Sequence, residues 1–449
     1  MNGAFFSDLL ASITERGRSL LRLKAWPENH AEQAAAMIEA CETVLSGRGE
    51  ASGAALSREV LDHYEALDVP ARLAFFQALA HRFGVDHEKL EKAIEAWRAA
   101  PSDDLSADLH FVSEPRRQEL FRRLNRAPGG TRAIVEMRAD LLELTRQNPD
   151  VAPVDRDFAH LLASWFNRGF LVLRRIDWST PASILEKIIR YEAVHAIRDW
   201  NDLRRRIDPA DRRCYAFFHP ALVDEPLIFV EVALTAEIPN AIAPLLAEDR
   251  DILPARKARA AVFYSISNCQ RGLAGISFGN FLIKQVVEEL RRELPKLETF
   301  VTLSPVPGFM SWLKSAQNLP VGDEDRPLLD GLDAPGWLDD AEEARRRRRV
   351  LEPLAAHYFL EAKSRGGRPV DPVARFHLGN GARLERINWA GDVSAKGLRE
   401  SAGLMVNYLY ELDDIEKNHE AFANHGTVVC SSAVRKMQKG EPRRLAFMP

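Results

Sequence analysis

The spacing of apolar residues changes its period once along this chain, near residue 150, and that change constrains the fold more than any other feature. Before it, apolar residues recur every three or four positions. In TRAIVEMRADLLELTRQ, Ile134, Met137 and Leu141 fall at i, i+3 and i+7, Leu142 and Leu144 widen the stripe, and charged residues fill the other face. This is the pattern of a helix with one buried side. The same period occupies residues 34–45, 71–83 and 90–97, with Pro70, Pro101 and the Pro128-Gly129-Gly130 turn read as breaks between helices. No strand-like alternation competes before residue 150. The segment 147–154, QNPDVAPV, carries two prolines and marks the expected boundary.

Beyond that boundary the apolar residues gather into β-branched runs. PLIFVEVALT (226–235), AAVFYSIS (260–267) and ETFVTLS (298–304) each suit a buried strand, the last ending at Ser304. Between the last two lies SFGNFLIKQVVEELRRE (277–293), with Phe278, Phe281, Leu282 and Gln285 on one helical face and Glu288, Glu289, Arg291 and Arg292 away from it. A strand, a glycine-rich turn, a helix and a strand in succession favour an α/β or α+β layer around one sheet. At 449 residues the chain exceeds a single core, since cores stop growing beyond roughly 250–300 residues. Two domains are expected, residues 1–150 helical and residues 151–449 carrying the sheet.

Composition excludes several classes. A net charge of −4 offers no basic excess for nucleic acid, although a bound polyanion would need only a local positive site. The four cysteines (Cys41, Cys214, Cys269, Cys430) are dispersed without a CxxC, which argues against a disulfide framework or structural zinc and for a reducing compartment. No run approaches 18 apolar residues, so no membrane span is expected. The opening segment reads as an amphipathic helix rather than a signal peptide, and the chain end is not a peroxisomal address, so a cytoplasmic location is expected. Arg345–Arg349 are five consecutive arginines. Asp339, Asp340, Glu342 and Glu343 precede them at helical spacing, which makes a solvated helix face the stronger reading over a phosphate site.

Three blocks could carry chemistry. In QRGLAGISFGNFLIK (270–284), Gly272, Gly275 and Gly279 sit where a strand has ended and a helix begins. Glycines there let backbone N–H groups approach an anion, which the helix start also favours; a plain glycine-rich turn fits as well. The spacing matches neither a dinucleotide nor a P-loop fingerprint. In TLSPVPGF (302–309), Ser304 precedes a turn stiffened by Pro305 and Pro307, suited to a preorganised hydroxyl and equally to an ordinary turn. No GxSxG elbow is present. In FHLGNGARLERINW (376–389), His377 reads as lying on an apolar strand that ends in a glycine-rich turn. It can act as an acid or base near neutral pH, though a core histidine is the commoner case. No metal motif accompanies it.

Together the phrases FYSISNCQRGLAGISFGNFLIKQVVEEL, FVTLSPVPGF and FHLGNGARLERINW…DVS…GLMVNY resemble the malonyl-CoA decarboxylases, as do RRCYAFFHP and EPLIFVEVALT upstream. The resemblance spans residues 155–412. It implies an α+β fold in which an N-terminal all-helical bundle, also an oligomerisation domain, precedes an acetyltransferase-type (GNAT-like) catalytic domain. It implies conversion of malonyl-CoA to acetyl-CoA and CO2, a homo-oligomer (dimer or tetramer), no nucleic-acid or membrane partner, and no cofactor, the coenzyme A ester being the substrate. By resemblance Ser304 and His377 form the catalytic pair, Ser265 and Tyr410 match further active-site positions, and Ala274, Gly275, Ile276, Ser277, Phe278, Gly279 and Asn280 bind the coenzyme A ester. Eukaryotic members carry glutamate where this chain has Ser277, so no carboxylate acts at that position.

The chemistry agrees with that assignment. Loss of CO2 from a malonyl thioester leaves charge on the thioester oxygen, so neither biotin, pyridoxal phosphate nor metal is needed. Ser304 is expected to hold the carboxylate and His377 to protonate the nascent carbanion. Three rivals remain. An acetyltransferase-type acyltransferase would need an amine acceptor, an acyl-CoA sensor would not turn over, and a serine hydrolase would need an orienting acid that the sequence does not display.

Overall fold

The structure, a computed structural model, describes residues 30–46, 50–276, 282–316, 319–333, 336–364 and 366–438. It divides into two compact units, Met1–Val172 with Phe218–Leu227 and Gln270–Phe278, and Leu173–Phe217 with Ile228–Cys269 and Gly279–Pro449.

In the first unit the helical period becomes a stack of helices: α1 (His30–Leu45), α2 (Glu50–Ala66), α3 (Val69–Arg82), α4 (His87–Ala99), α5 (Asp103–Val112), α6 (Arg116–Asn125), α7 (Gly130–Thr145) and α8 (Ala152–Trp165). Pro70 stands in the first turn of α3, just past the break between helices that it marks in the sequence. Asp68 caps α3 by accepting from the Ala71 N–H at 2.9 Å, and a proline in the first turn has no N–H to lose. Asp86 and Ser102 cap α4 and α5 in the same way. The apolar stripe of α7 is buried as expected, with Ile134, Met137 and Leu141 inside. Phe121 of α6 stacks on Phe158 of α8 with ring centroids 4.0 Å apart. Beside them the buried Arg117 meets Asp157 in an ion pair, so neither charge is left uncompensated inside.

The second unit is built on a sheet. Among the described residues it has eight strands: β1 (Val172–Ile176), β2 (Arg212–Phe218), β3 (Pro226–Thr235), β4 (Ala260–Asn268), β5 (Thr299–Thr302), β6 (Ser304–Pro305), β7 (Arg383–Asn388) and β8 (Met405–Leu409). Their order is β1-β2-β3-β4-β5-β8-β6, with β7 on β8. The β3–β4 pair is antiparallel with a bulge at Glu231/Val232, and β4–β5 is parallel. The helix α11 (Leu282–Glu293) makes that parallel crossover, and it follows α9 (Ala182–Tyr191) and α10 (Trp200–Ile207) in the chain. Then come α12 (Phe309–Ser315), α13 (Ala341–Leu360), α14 (Pro372–Gly379), α15 (Ala395–Ser401), α16 (Ile415–His425) and α17 (Ser432–Gln438). Val262, Tyr264, Val301, Leu303 and Met405 form part of one apolar cluster on the sheet. The α+β class, a helical region followed by a mixed sheet, is the one the sequence predicts. No described helix is long and apolar enough to cross a membrane.

The five arginines lie on α13, where Arg348 pairs with Glu352 at 3.0 Å and Arg347 with Glu343 at 2.8 Å. Arg347 departs from the solvated reading: it also donates to the Asp330 carbonyl at 2.8 Å and sits over the Trp337 ring.

Candidate active site

Thr302 ends β5 and Ser304 begins β6, two positions apart on extended backbone, so both side chains leave the same face. Ser304 thus starts the short strand beyond a break at Leu303 rather than ending the preceding one. Its hydroxyl donates to Thr302 Oγ1 at 2.8 Å. Thr302 is fixed in turn, its Oγ1 accepting from the Tyr408 N–H at 3.1 Å and its carbonyl from Asn407 Nδ2 at 2.7 Å.

His377 corrects the sequence reading more sharply. It lies not on a strand but in the last turn of α14, buried at 3% exposure. The cause is local: Asp371 caps the helix, its Oδ1 accepting from the Ala374 N–H at 2.7 Å, and Pro372 fixes the first turn. The imidazole stacks on Tyr408 at 4.6 Å and is met edge-on by Phe376. Its Nε2 lies 3.2 Å from Ser304 Oγ and its Nδ1 lies 2.8 Å from the Tyr410 hydroxyl.

The protons follow from hydrogen-bond satisfaction, not from the distances alone. The buried Tyr410 O–H has no partner other than His377 Nδ1 among the described residues, so it donates there. Nδ1 is therefore the acceptor nitrogen and Nε2 carries the hydrogen, pointed at Ser304 Oγ. Burial pulls the imidazole pKa down to about 3 and pushes the Tyr410 phenol well above its ordinary value. Both groups are neutral near pH 7. The result is a directed chain: Tyr410 O–H to Nδ1, Nε2–H to Ser304, Ser304 O–H to Thr302.

Ser265 is not hydrogen-bonded to this chain. It faces Glu192, donating to the carboxylate at 2.8 Å, and Glu192 Oε1 also accepts the Val194 and His195 N–H groups at 2.8 Å each. Of the glycine-rich block, Ala274, Gly275 and Ile276 are described, whereas Ser277, Phe278, Gly279 and Asn280 lie outside the described residues. Gly275 has φ +77°, the left-handed conformation glycine adopts without strain. Gly272 serves a different purpose from the anion approach. A Cβ there would lie 1.8 Å from the Val135 carbonyl oxygen, so its absence lets the turn lie against α7. Arg138 of α7 holds that turn by donating to the Gly272 and Ala274 carbonyls at 2.7 and 2.9 Å, and Asp155 balances its charge.

The family models match nearly all of this chain after residue 82: the malonyl-CoA decarboxylase N-terminal domain over residues 83–166 and the C-terminal domain over residues 169–447. The chain belongs to the malonyl-CoA decarboxylase family. Among curated relatives, the mitochondrial malonyl-CoA decarboxylase of Anser anser anser is 37% identical over 415 residues, 84% of this chain and 82% of that protein. Two crystal structures of malonyl-CoA decarboxylases are similar throughout. That from Rhodopseudomonas palustris is 60% identical with a TM-score of 0.87, and that from Agrobacterium vitis 57% identical with 0.85; each comparison covers 90% of this chain and 99% of the other. Membership of this malonyl-CoA decarboxylase family makes the chain a carboxy-lyase.

Proposed function

We propose that the chain converts malonyl-CoA to acetyl-CoA and CO2, with Ser304 and His377 as the working pair and no metal or organic cofactor. The observation that carries this reading is the hydrogen-bonded order Tyr410–His377–Ser304, which presents an Nε2–H and a hydroxyl side by side. Decarboxylation breaks the bond between the carboxylate carbon and the methylene. The electron pair passes into the thioester as an enolate, CO2 leaves, and one proton is added to the methylene carbon.

The side chains divide that work. The Ser304 hydroxyl rotates from Thr302 to the malonyl carboxylate, holding it out of the thioester plane so that the breaking bond overlaps the carbonyl π system. His377 Nε2–H gives the proton, because a carbanion next to a thioester is a far stronger base than an imidazole nitrogen. Tyr410 keeps Nδ1 an acceptor throughout, which makes it a positioning residue. Giving that proton leaves an imidazolate, a far stronger base than neutral imidazole, which takes its proton back from water and restores the Nε2–H. Participation of this kind typically contributes about 10²–10⁴-fold. Residues 274–280 are assigned to the coenzyme A ester, with Arg138 holding the Gly272 and Ala274 carbonyls. Ser265 and Glu192 together brace β4.

The test is direct. Purified protein given malonyl-CoA, with a chelator and without ATP or any amine, should release CO2 and acetyl-CoA in equal amounts. Turnover that requires an amine and liberates free coenzyme A would replace this reading with acyl transfer. Activity abolished by the chelator and restored by a metal would remove the cofactor-free mechanism.

A further inference from the structure

Ser304 and His377 come from separate parts of the chain, yet the segments that carry them meet again at one buried phenol–carboxylate contact. The Tyr358 hydroxyl of α13 lies 3.3 Å from Asp371 Oδ2, while Asp371 Oδ1 caps α14, the helix that ends at His377. The same hydroxyl occupies the space that a side chain at Gly308 would need, since a Cβ there would be 2.5 Å from it. Gly308 closes the turn that begins at Ser304. The Tyr358 ring also packs on the next helix, α12, with Phe309 at 5.5 Å and Trp312 at 5.0 Å. Asp371 is 1% exposed.

We infer that Tyr358 and Asp371 are positioning residues that hold the distance between Ser304 Oγ and His377 Nε2, and that the ionised Asp371 is the form that holds it. This rests on the reading of Ser304 and His377 as the working pair. Tyr358 touches the serine's turn at Gly308 and the histidine's helix at its cap, so both reacting groups are referred to one rigid contact. The carboxylate form is required for two reasons. An anion at a helix N-terminus interacts favourably with the helix dipole, and only the carboxylate accepts from the amide and the phenol without a proton of its own to place. Burial lifts the Asp371 carboxyl to about 6 against the opposing bonds from Ala374 and Tyr358 and the nearby Arg375. The charged and titratable groups facing it are Tyr358 on α13, Arg375 on α14 and Tyr408 on β8. Both tyrosines stay neutral, because burial pushes their phenols up. Arg375 is directed at the Pro369 and Val370 carbonyls, 2.9 Å from each.

Asp371→Asn keeps an N-cap oxygen and the shape while removing the charge. Its kcat should fall about 10-fold with KM unchanged, because a small misplacement of the pair slows chemistry without weakening binding. Wild-type kcat/KM should decline on the acid side with a midpoint near pH 6, and the variant should lack that decline. Tyr358→Phe removes a donor to the carboxylate, so its decline should move to higher pH. Wild-type kcat in Asp371→Asn, or an acid decline that neither variant moves, would overturn the inference. A loss of thermal stability with kcat and profile unchanged would show a purely structural role and would overturn it too. His377→Asn measured alongside separates the two failures: if it abolishes turnover while the Asp371 and Tyr358 variants behave as wild type, only the positioning inference falls. If it leaves turnover intact, the reading of the pair falls first.

Discussion

Replacing Tyr410 by phenylalanine removes one oxygen and its hydrogen from a site 2% exposed, without changing the ring that packs edge-on against Phe263. What is lost is the 2.8 Å bond to His377 Nδ1. A typical intramolecular hydrogen bond contributes about 1 kcal/mol net, and a buried acceptor left unpaired costs about 1–3 kcal/mol, so folding stability should fall by that range. The catalytic effect has a separate origin. With the phenol present, Nδ1 accepts and Nε2–H faces Ser304. Without it, the imidazole can place its hydrogen on Nδ1 and accept from Ser304 instead, which points a lone pair rather than a proton at the substrate. A loss of roughly 1.5–2.5 kcal/mol of transition-state stabilisation at the donated proton corresponds to a 10- to 70-fold lower kcat. The hydroxyl faces the ring and not the serine, so KM should stay within about two-fold of wild type. Steady-state kinetics at pH 7 measures both constants, and nitrogen chemical shifts of labelled histidine report the tautomer. A kcat within two-fold of wild type, or a loss carried wholly by KM, would refute the reasoning.

Two further outcomes concern the fold. The His377 pKa is pulled down from 6.5 to about 3 by burial, so below pH 6.5 the unfolded chain binds a proton that the folded chain refuses. Stability must therefore decline as pH falls, by about 2 kcal/mol for this group between pH 7 and pH 5. His377→Asn should lose about that much less over the same interval, as denaturant midpoints will show; equal acid sensitivity in both proteins would contradict the depressed value. Gly272→Ala places a methyl 1.8 Å from the Val135 oxygen and forces α7 from the turn. A loss of about 1–3 kcal/mol is expected, or roughly 2–12 °C in Tm. Gly275→Ala meets open space and should cost only the left-handed strain, about 1–2 kcal/mol. An unchanged Tm for the first variant would contradict the close approach.

Much of the fold and part of the site are legible in the sequence. The helical period and the later β-branched runs separate helices from strands because burial on one face imposes 3.6 on helices and 2 on strands. The break expected at 147–154, however, lies inside the helical region, which continues through α8 to Trp165 before the first strand at Val172. Ser304, His377 and Tyr410 were legible through the resemblance of their blocks, and the structure brings these three into one hydrogen-bonded chain. The helix beneath His377 was missed although its signal was present: Asp371 followed by Pro372 is a cap followed by a first-turn proline. The apolar residues after it outweighed that cue. Pro70 marks a break between helices, with its place inside the first turn of α3 set by the Asp68 cap. Thr302 could be found only through strand alternation, once Ser304 was known to lie on extended backbone. Arg138 and Asn407 left no local trace, since each acts on backbone carbonyls more than 100 residues away. Contacts of that kind depend on the tertiary fold, which neither period nor motif encodes.

The central claim is that His377 delivers the proton and Ser304 holds the carboxylate. Its most direct test is kcat on malonyl-CoA for His377→Asn and Ser304→Ala beside the wild type, each confirmed as folded. The account predicts that kcat falls by about 10²–10⁴-fold in each variant, with binding of the coenzyme A ester largely kept. Wild-type turnover by either variant would contradict it.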